Sequence, residues 1–242
     1  MTATAAMLQL EGVNTWRGPA QVLRGVSLRV GDGECVCLVG RNGAGKTTTI
    51  DSIMGLLPVR GGRITLRGRD VTRVPAHARA GLGIGYAPED CGIFPDLTVA
   101  ENFEITSWLT KGATRQTGTA GDGDRVFSVF PEVRGFLQRR GPHLSGGQKK
   151  MVAITRAMTL APVILLLDEP FEGLAPVVVT RFIEAVRTIK GMGVSLLIAE
   201  SNVTNAARVA DRLYAIDRGE ILFEGRAGDA LANEEVMKTI RG

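Results

Sequence analysis

The sequence predicts an α/β fold: a nucleotide-type core, a small antiparallel β layer ahead of it, and an inserted α-helical lobe. Three observations predict it. After residue 145, short apolar runs alternate with segments of helical period, the pattern of parallel strands joined by crossover helices. A glycine-rich segment at 40–47, GRNGAGKT, joins the apolar run 35–39 to a helix predicted over 45–54. Ahead of it, runs at 8–13 and 26–30, with a further one at 63–66, are each bounded by Gly, Asp or Asn, as in a β layer.

Composition bounds the rest. The 242 residues suffice for one domain with a lobe, and 44% hydrophobic with 22% charged residues exclude disorder and coiled coil. Lys plus Arg exceed Asp plus Glu by only 29 − 25 = 4, and aromatics are 5%, so no nucleic-acid partner is expected. No apolar run reaches the roughly 18 residues of a membrane span, and residues 1–7 lack a secretory pattern, so cytoplasmic residence is expected. Cys35 and Cys37 fall on one strand face as buried reduced thiols, and His77 and His143 are isolated.

In the middle of the chain Thr98 and Glu101 form a capping box before Phe103, Ile105 and Leu109, and the Gly- and Thr-rich stretch 111–124 reads as a loop. Met151, Ile154 and Met158 have helical spacing, as do Phe182, Val186 and Ile189 after Pro176. Runs 163–167 and 194–199 read as buried strands, and 212–216 with 220–223 as a closing strand and hairpin. The expected organisation is one domain over 1–242, with a core at about 1–85 and 156–242 and a helical lobe at about 86–155.

The segment 40–47 matches the P-loop pattern in its proper strand-to-helix context. Concentrated phosphate charge calls for inward backbone N–H groups, for glycine where a Cβ would obstruct, and for the positive end of a helix. Gly40, Gly43 and Gly45 meet the second need; Arg41, Asn42, Ala44 and Thr48 complete the loop. Lys46 can reach the terminal phosphates and the Thr47 hydroxyl can ligate Mg²⁺. Asp168 and Glu169 stand at the exit of the strand 163–167, where ligands sit in open α/β sheets. Asp168 is suited to Mg²⁺, and Glu169, pointing differently, to deprotonating a water that attacks the γ-phosphate.

At 144–148, LSGGQ opens a helix with Ser145 as N-cap and Gln148 at N3. Gly146 and Gly147 then fall in the first turn, where each costs about 1 kcal/mol against alanine, a cost that close approach to an anion would explain.

With the P-loop, LSGGQ and a strand ending in DEP together, the chain resembles the ATP-binding-cassette (ABC) ATPases, over nearly its whole length. The resemblance implies a RecA-like core, ATP and Mg²⁺ as cofactors, and a head-to-tail dimer with itself or a related ATPase. In that dimer Ser145 and Gly147, with Gly146 and Gln148, contact ATP held by the partner's P-loop. It further implies integral membrane permease subunits as partners, a solute-binding protein indirectly, and a peripheral position on the cytoplasmic face of the cell membrane. Trp16 matches the aromatic that stacks on adenine, although a Trp near a strand end also suits core packing. Residues 86–89, YAPE, followed by IFPDLTVAENF, match the loop lying against the membrane partner. Glu89 stands where most cassettes carry Gln and could bind Mg²⁺ or position water.

Two further departures concern turnover. Ala175 occupies a usual Asp position, and Ser201 stands where a His commonly touches the γ-phosphate, which implies slow hydrolysis. YAPE with IFP, EGLAP, the triplet ESN and the ending LANEEVMKTIRG resemble LivF-type ATPases of branched-chain amino acid importers; urea-type relatives are the alternative. A hydrolysis-poor ATP-sensing partner subunit is a second class. A DNA-maintenance cassette would need a coiled-coil insertion, and 48–144 holds no sustained heptads.

Overall fold

A computed structural model describes residues 6–110 and 122–241. Strands β1 (Ala6–Arg17) and β2 (Ala20–Gly31) alternate buried and exposed positions, so each has one dry face, whereas β3 (Cys35–Val39) is buried throughout. Helix α1 (Lys46–Met54) follows, then β4 (Val59–Leu66), β5 (Arg69–Asp70), α2 (Ala76–Gly81) and β6 (Ile84–Ala87). The segment up to β7 (Ile164–Asp168) contains α3 (Val99–Thr110), α4 (Asp122–Phe127) and α5 (Gly146–Met158). The chain closes with α6 (Pro176–Gly191), β8 (Ser195–Glu200), α7 (Val203–Ala207), β9 (Arg212–Asp217), β10 (Glu220–Gly225), α8 (Ala227–Ala232) and α9 (Glu234–Arg241).

The strands make an antiparallel sheet of order β2-β1-β4-β5 and a larger sheet of order β10-β9-β3-β8-β7-β6. In the larger sheet every pairing is parallel except that of β9 with β10. One apolar core lies between the two sheets around Leu38, Ile50 and Leu166; the other lies beneath α5 and α6 around Phe130, Phe182 and Ile198. Because β3, β8 and β7 are neighbours, Val39 pairs with Glu200 and Asp168 with Ala199, and the three carboxyl ends open side by side.

The expected elements are present, with differences at their limits. Strand β1 runs to Arg17 because register shifts at Leu10/Val13 and beyond let polar residues join the ladder. Strand β6 was hidden by its setting of glycines (GLGIGYA). Residues 122–124, expected in a loop, begin α4, while the remainder of that predicted loop, 111–121, lies outside the described residues. The thiols of Cys35, Cys37 and Cys91 are free and buried.

Beneath the P-loop helix, Arg79 is 2% exposed and donates to four carbonyls: Ser52 (2.9 Å) and Ile53 (2.5 Å) at the end of α1, Thr72 (2.9 Å) and Val74 (2.7 Å). A cation here meets the negative end of the helix and adds donors to the carbonyls of its last turn.

Candidate active site

Gly45 caps α1 with φ 115°, a conformation L side chains rarely adopt, and so turns the loop under the helix N-terminus. Gly40 serves differently from expectation. A Cβ there would lie 2.3 Å from the Ile216 carbonyl oxygen, so its bareness lets the loop pack on β9 rather than clearing room for phosphate. Asn42, Gly43, Lys46 and Thr47 line a cleft of about 400 Å³, with Glu89 and Glu169 opposite.

The Lys46 ammonium, 5% exposed, donates to the carbonyls of Gly40 (2.8 Å) and Arg41 (3.1 Å) and lies 3.1 Å from Glu169 Oε1. The other carboxylate oxygen, Glu169 Oε2, accepts from the backbone N–H (3.0 Å) and hydroxyl (3.1 Å) of Ser201. Glu169 has φ 47°, a left-handed turn at the end of β7, and its carbonyl accepts from Lys150. A non-glycine residue held in that region stores strain of the kind found at functional sites. Asp168 differs: both its oxygens are buried without a hydrogen-bond partner. Burial raises its pKa to about 6; the Thr47 hydroxyl opposes the shift, and the negative charges of Glu169 and Glu89 add to it. An unsatisfied buried carboxylate beside a threonine hydroxyl is the hard-oxygen donor set that suits Mg²⁺.

The family profile described as "ABC transporter" matches residues 23–172. The chain belongs to the ABC transporter family. It is an ATP-binding cassette, an ATPase coupled to transport. It is 33% identical over 236 residues to the high-affinity branched-chain amino acid transport ATP-binding protein BraG of Pseudomonas aeruginosa, covering 98% of this chain and 100% of that one. It is 35% identical over 222 residues to the lipopolysaccharide export system ATP-binding protein LptB of Haemophilus influenzae, covering 92% and 91%. Its fold matches the ADP conformation of MJ1267, an ATP-binding cassette of an ABC transporter, with TM-score 0.81, 27% identity and coverage of 98% and 99%.

The LSGGQ face of the cassette stands apart from this cleft. Ser145 is exposed and its hydroxyl accepts from the Gln148 N–H (3.3 Å), while Gln148 Oε1 accepts from the Ser145 N–H (3.0 Å), a complete capping box. Neither Gly146 nor Gly147 has a positive φ. A Cβ at Gly146 would meet nothing within 4 Å, and one at Gly147 would make ordinary contact with Leu174 and Val178 at 3.4 Å. Among the described residues nothing requires either glycine.

Trp16 is not among the residues lining the cleft; the Arg60 guanidinium lies over its ring at 5.2 Å. Arg17, one residue on and therefore on the other face of β1, lines the cleft instead, donating to Thr48 Oγ1 (3.1 Å) and Asp51 Oδ2 (2.5 Å). Strand alternation counted from Trp16 would have exposed Arg17. Ala175 sits at the N-cap of α6 with no side-chain bond. Glu200, buried beside the site, is not singled out by the sequence because it directly follows the apolar run 194–199.

Proposed function

We propose that this cassette is the energy-coupling subunit of an importer for branched-chain amino acids. ATP held at the P-loop closes it against the LSGGQ face of a second cassette, and hydrolysis reopens the pair. The observation that carries the site reading is the convergence of Lys46, Asp168, Glu169 and Ser201 at the adjoining ends of α1, β7 and β8. Lys46 would exchange its carbonyl partners for the terminal phosphates. Glu169, fixed through Ser201, would take the proton of the attacking water. Thr47, Asp168 and Glu89 would hold Mg²⁺, whose charge offsets that developing on the phosphates. Arg17 would face the nucleoside end.

The glycine pair supports the dimer, since nothing among the described residues accounts for their cost and an approach from outside the chain would. Exposed Phe94, 49% accessible, and Leu56, 54%, supply apolar surface for permease segments. Among the described residues no helix is long and apolar enough to cross a membrane, which fits a peripheral subunit.

The solute rests on likeness: BraG is matched end to end, while LptB, named for export, is comparably similar. Deletion followed by radiolabelled uptake tests it: selective loss of leucine uptake supports the reading, and unimpaired leucine uptake refutes it. A hydrolysis-poor sensor is the second reading, favoured by Ser201 in the β8 exit; it requires no γ-phosphate cleavage at this site across many transport cycles.

A further inference from the structure

At the exit of β8 one carboxyl group is left over. Glu200 is 1% exposed; its Oε1 accepts from the Asn202 N–H (2.9 Å), while Oε2 is buried without a hydrogen-bond partner. A buried carboxylate oxygen with no donor is costly, so it needs either a donor or a proton of its own. The neighbouring group is the carboxylate of Glu169, held on one oxygen by Lys46 and on the other by Ser201, the residue next to Glu200. Two carboxylates packed together in a dry site do not both ionise readily.

Resting on the reading of Glu169 as the general base, we propose that Glu200 is a positioning residue that carries a proton and donates it in a hydrogen bond to Glu169. The β8 exit then orients the base through three donors: the Ser201 N–H, the Ser201 hydroxyl and the Glu200 acid.

The surroundings agree. The ionisable groups facing Glu200 are the Glu169 carboxylate from the β7 exit and the Cys37 thiol from β3. The two neighbouring cations engage Glu169 instead, Lys46 at its carboxylate and Lys150 at its carbonyl. Burial, with the Glu169 charge beside it, raises the Glu200 pKa well above the ordinary carboxylate range, although the backbone N–H groups of Asn202 and Phe171 oppose the shift. Glutamine would keep the shape, the acceptor for Asn202 and a donor for Glu169, and it could never ionise.

The test compares Mg²⁺-ATPase of the full-length wild-type chain with Glu200→Gln and Glu200→Ala across pH, using ATP retention and thermal melting as folding controls. In Glu200→Gln, kcat near neutral pH should stay within about threefold of wild type, and its alkaline decline should disappear or move upward. In Glu200→Ala, kcat should fall on the order of 10- to 100-fold with KM for ATP nearly unchanged, as expected when a base is misoriented rather than a substrate lost. A Glu200→Gln enzyme as impaired as Glu200→Ala, an alkaline limb identical to wild type, or full activity in Glu200→Ala would each overturn the proposal. Glu169→Gln, assayed beside them, isolates the underlying reading: if it stays active, the assignment of the base fails, whatever the Glu200 variants do.

Discussion

Two regions of the cassette carry glycines, cationic surroundings and a helix N-terminus, yet they are built on opposite terms. The P-loop with the β7 and β8 exits is dry and bonded to itself: Lys46 has three partners, Glu169 is held at both oxygens, and Gly40 and Gly45 are demanded by backbone geometry. The LSGGQ helix start is exposed, and its glycines answer no need among the described residues. On the proposed reading the first region binds nucleotide by itself. On the same reading the second meets phosphates that another molecule supplies, so that one chain would hold two halves of different sites.

Changes in the first region should have the largest effects. Glu169→Gln should lower phosphate release by on the order of 10²- to 10³-fold while ATP is still retained, because the base is lost and the shape is kept. Single-turnover γ-phosphate release checks this, and unchanged release would remove the base from the site. Arg79→Ala, away from the cleft, should destabilise the fold by about 3 kcal/mol, because four carbonyls, two of them in buried bonds, lose the Arg79 donor. Denaturant unfolding reads it out.

Asp168 sharpens the comparison, because its cost falls on the same chain that benefits from it. With its pKa raised to about 6 from 3.8, the carboxyl binds its proton more tightly folded than unfolded. Nucleotide-free protein should therefore gain stability as pH falls from about 7 toward 5, a gain lost again as pH rises through the folded value. Asp168→Asn should raise the melting temperature of the nucleotide-free chain, by on the order of 2 kcal/mol at pH 7.5, while abolishing Mg²⁺-dependent turnover. A drop in melting temperature would show that the orphaned oxygens are not a burden. A smaller gain, about 1 kcal/mol, is expected from Ala175→Asp, which gives α6 the cap it lacks.

The sequence disclosed the parallel core because buried strands leave continuous apolar runs, and it disclosed the phosphate loop because few other tasks need that glycine spacing. It concealed what depends on which way a side chain faces. Trp16 and Arg17 are adjacent, and only the strand's alternation decides that the arginine lines the cleft. Glu200 lies one residue past the apolar run 194–199, and only the register of β8 against β3 and the turn at Glu169 bring the two carboxyls together. Short elements such as α2, α7 and α8 carry too few residues for a period to register.

The division between a self-sufficient half and an incomplete one is tested most directly at Gly146. An aspartate there enters open space in the first turn of α5, where a negative charge favours the helix, yet it would confront the phosphates of a neighbouring cassette. Thermal melting, ATP retention by the dilute chain and γ-phosphate release should be measured together on Gly146→Asp. Melting temperature and retention should equal or exceed wild type while release falls by at least about tenfold. Release at the wild-type rate would contradict the account, for the LSGGQ face would then have no part in the nucleotide's fate.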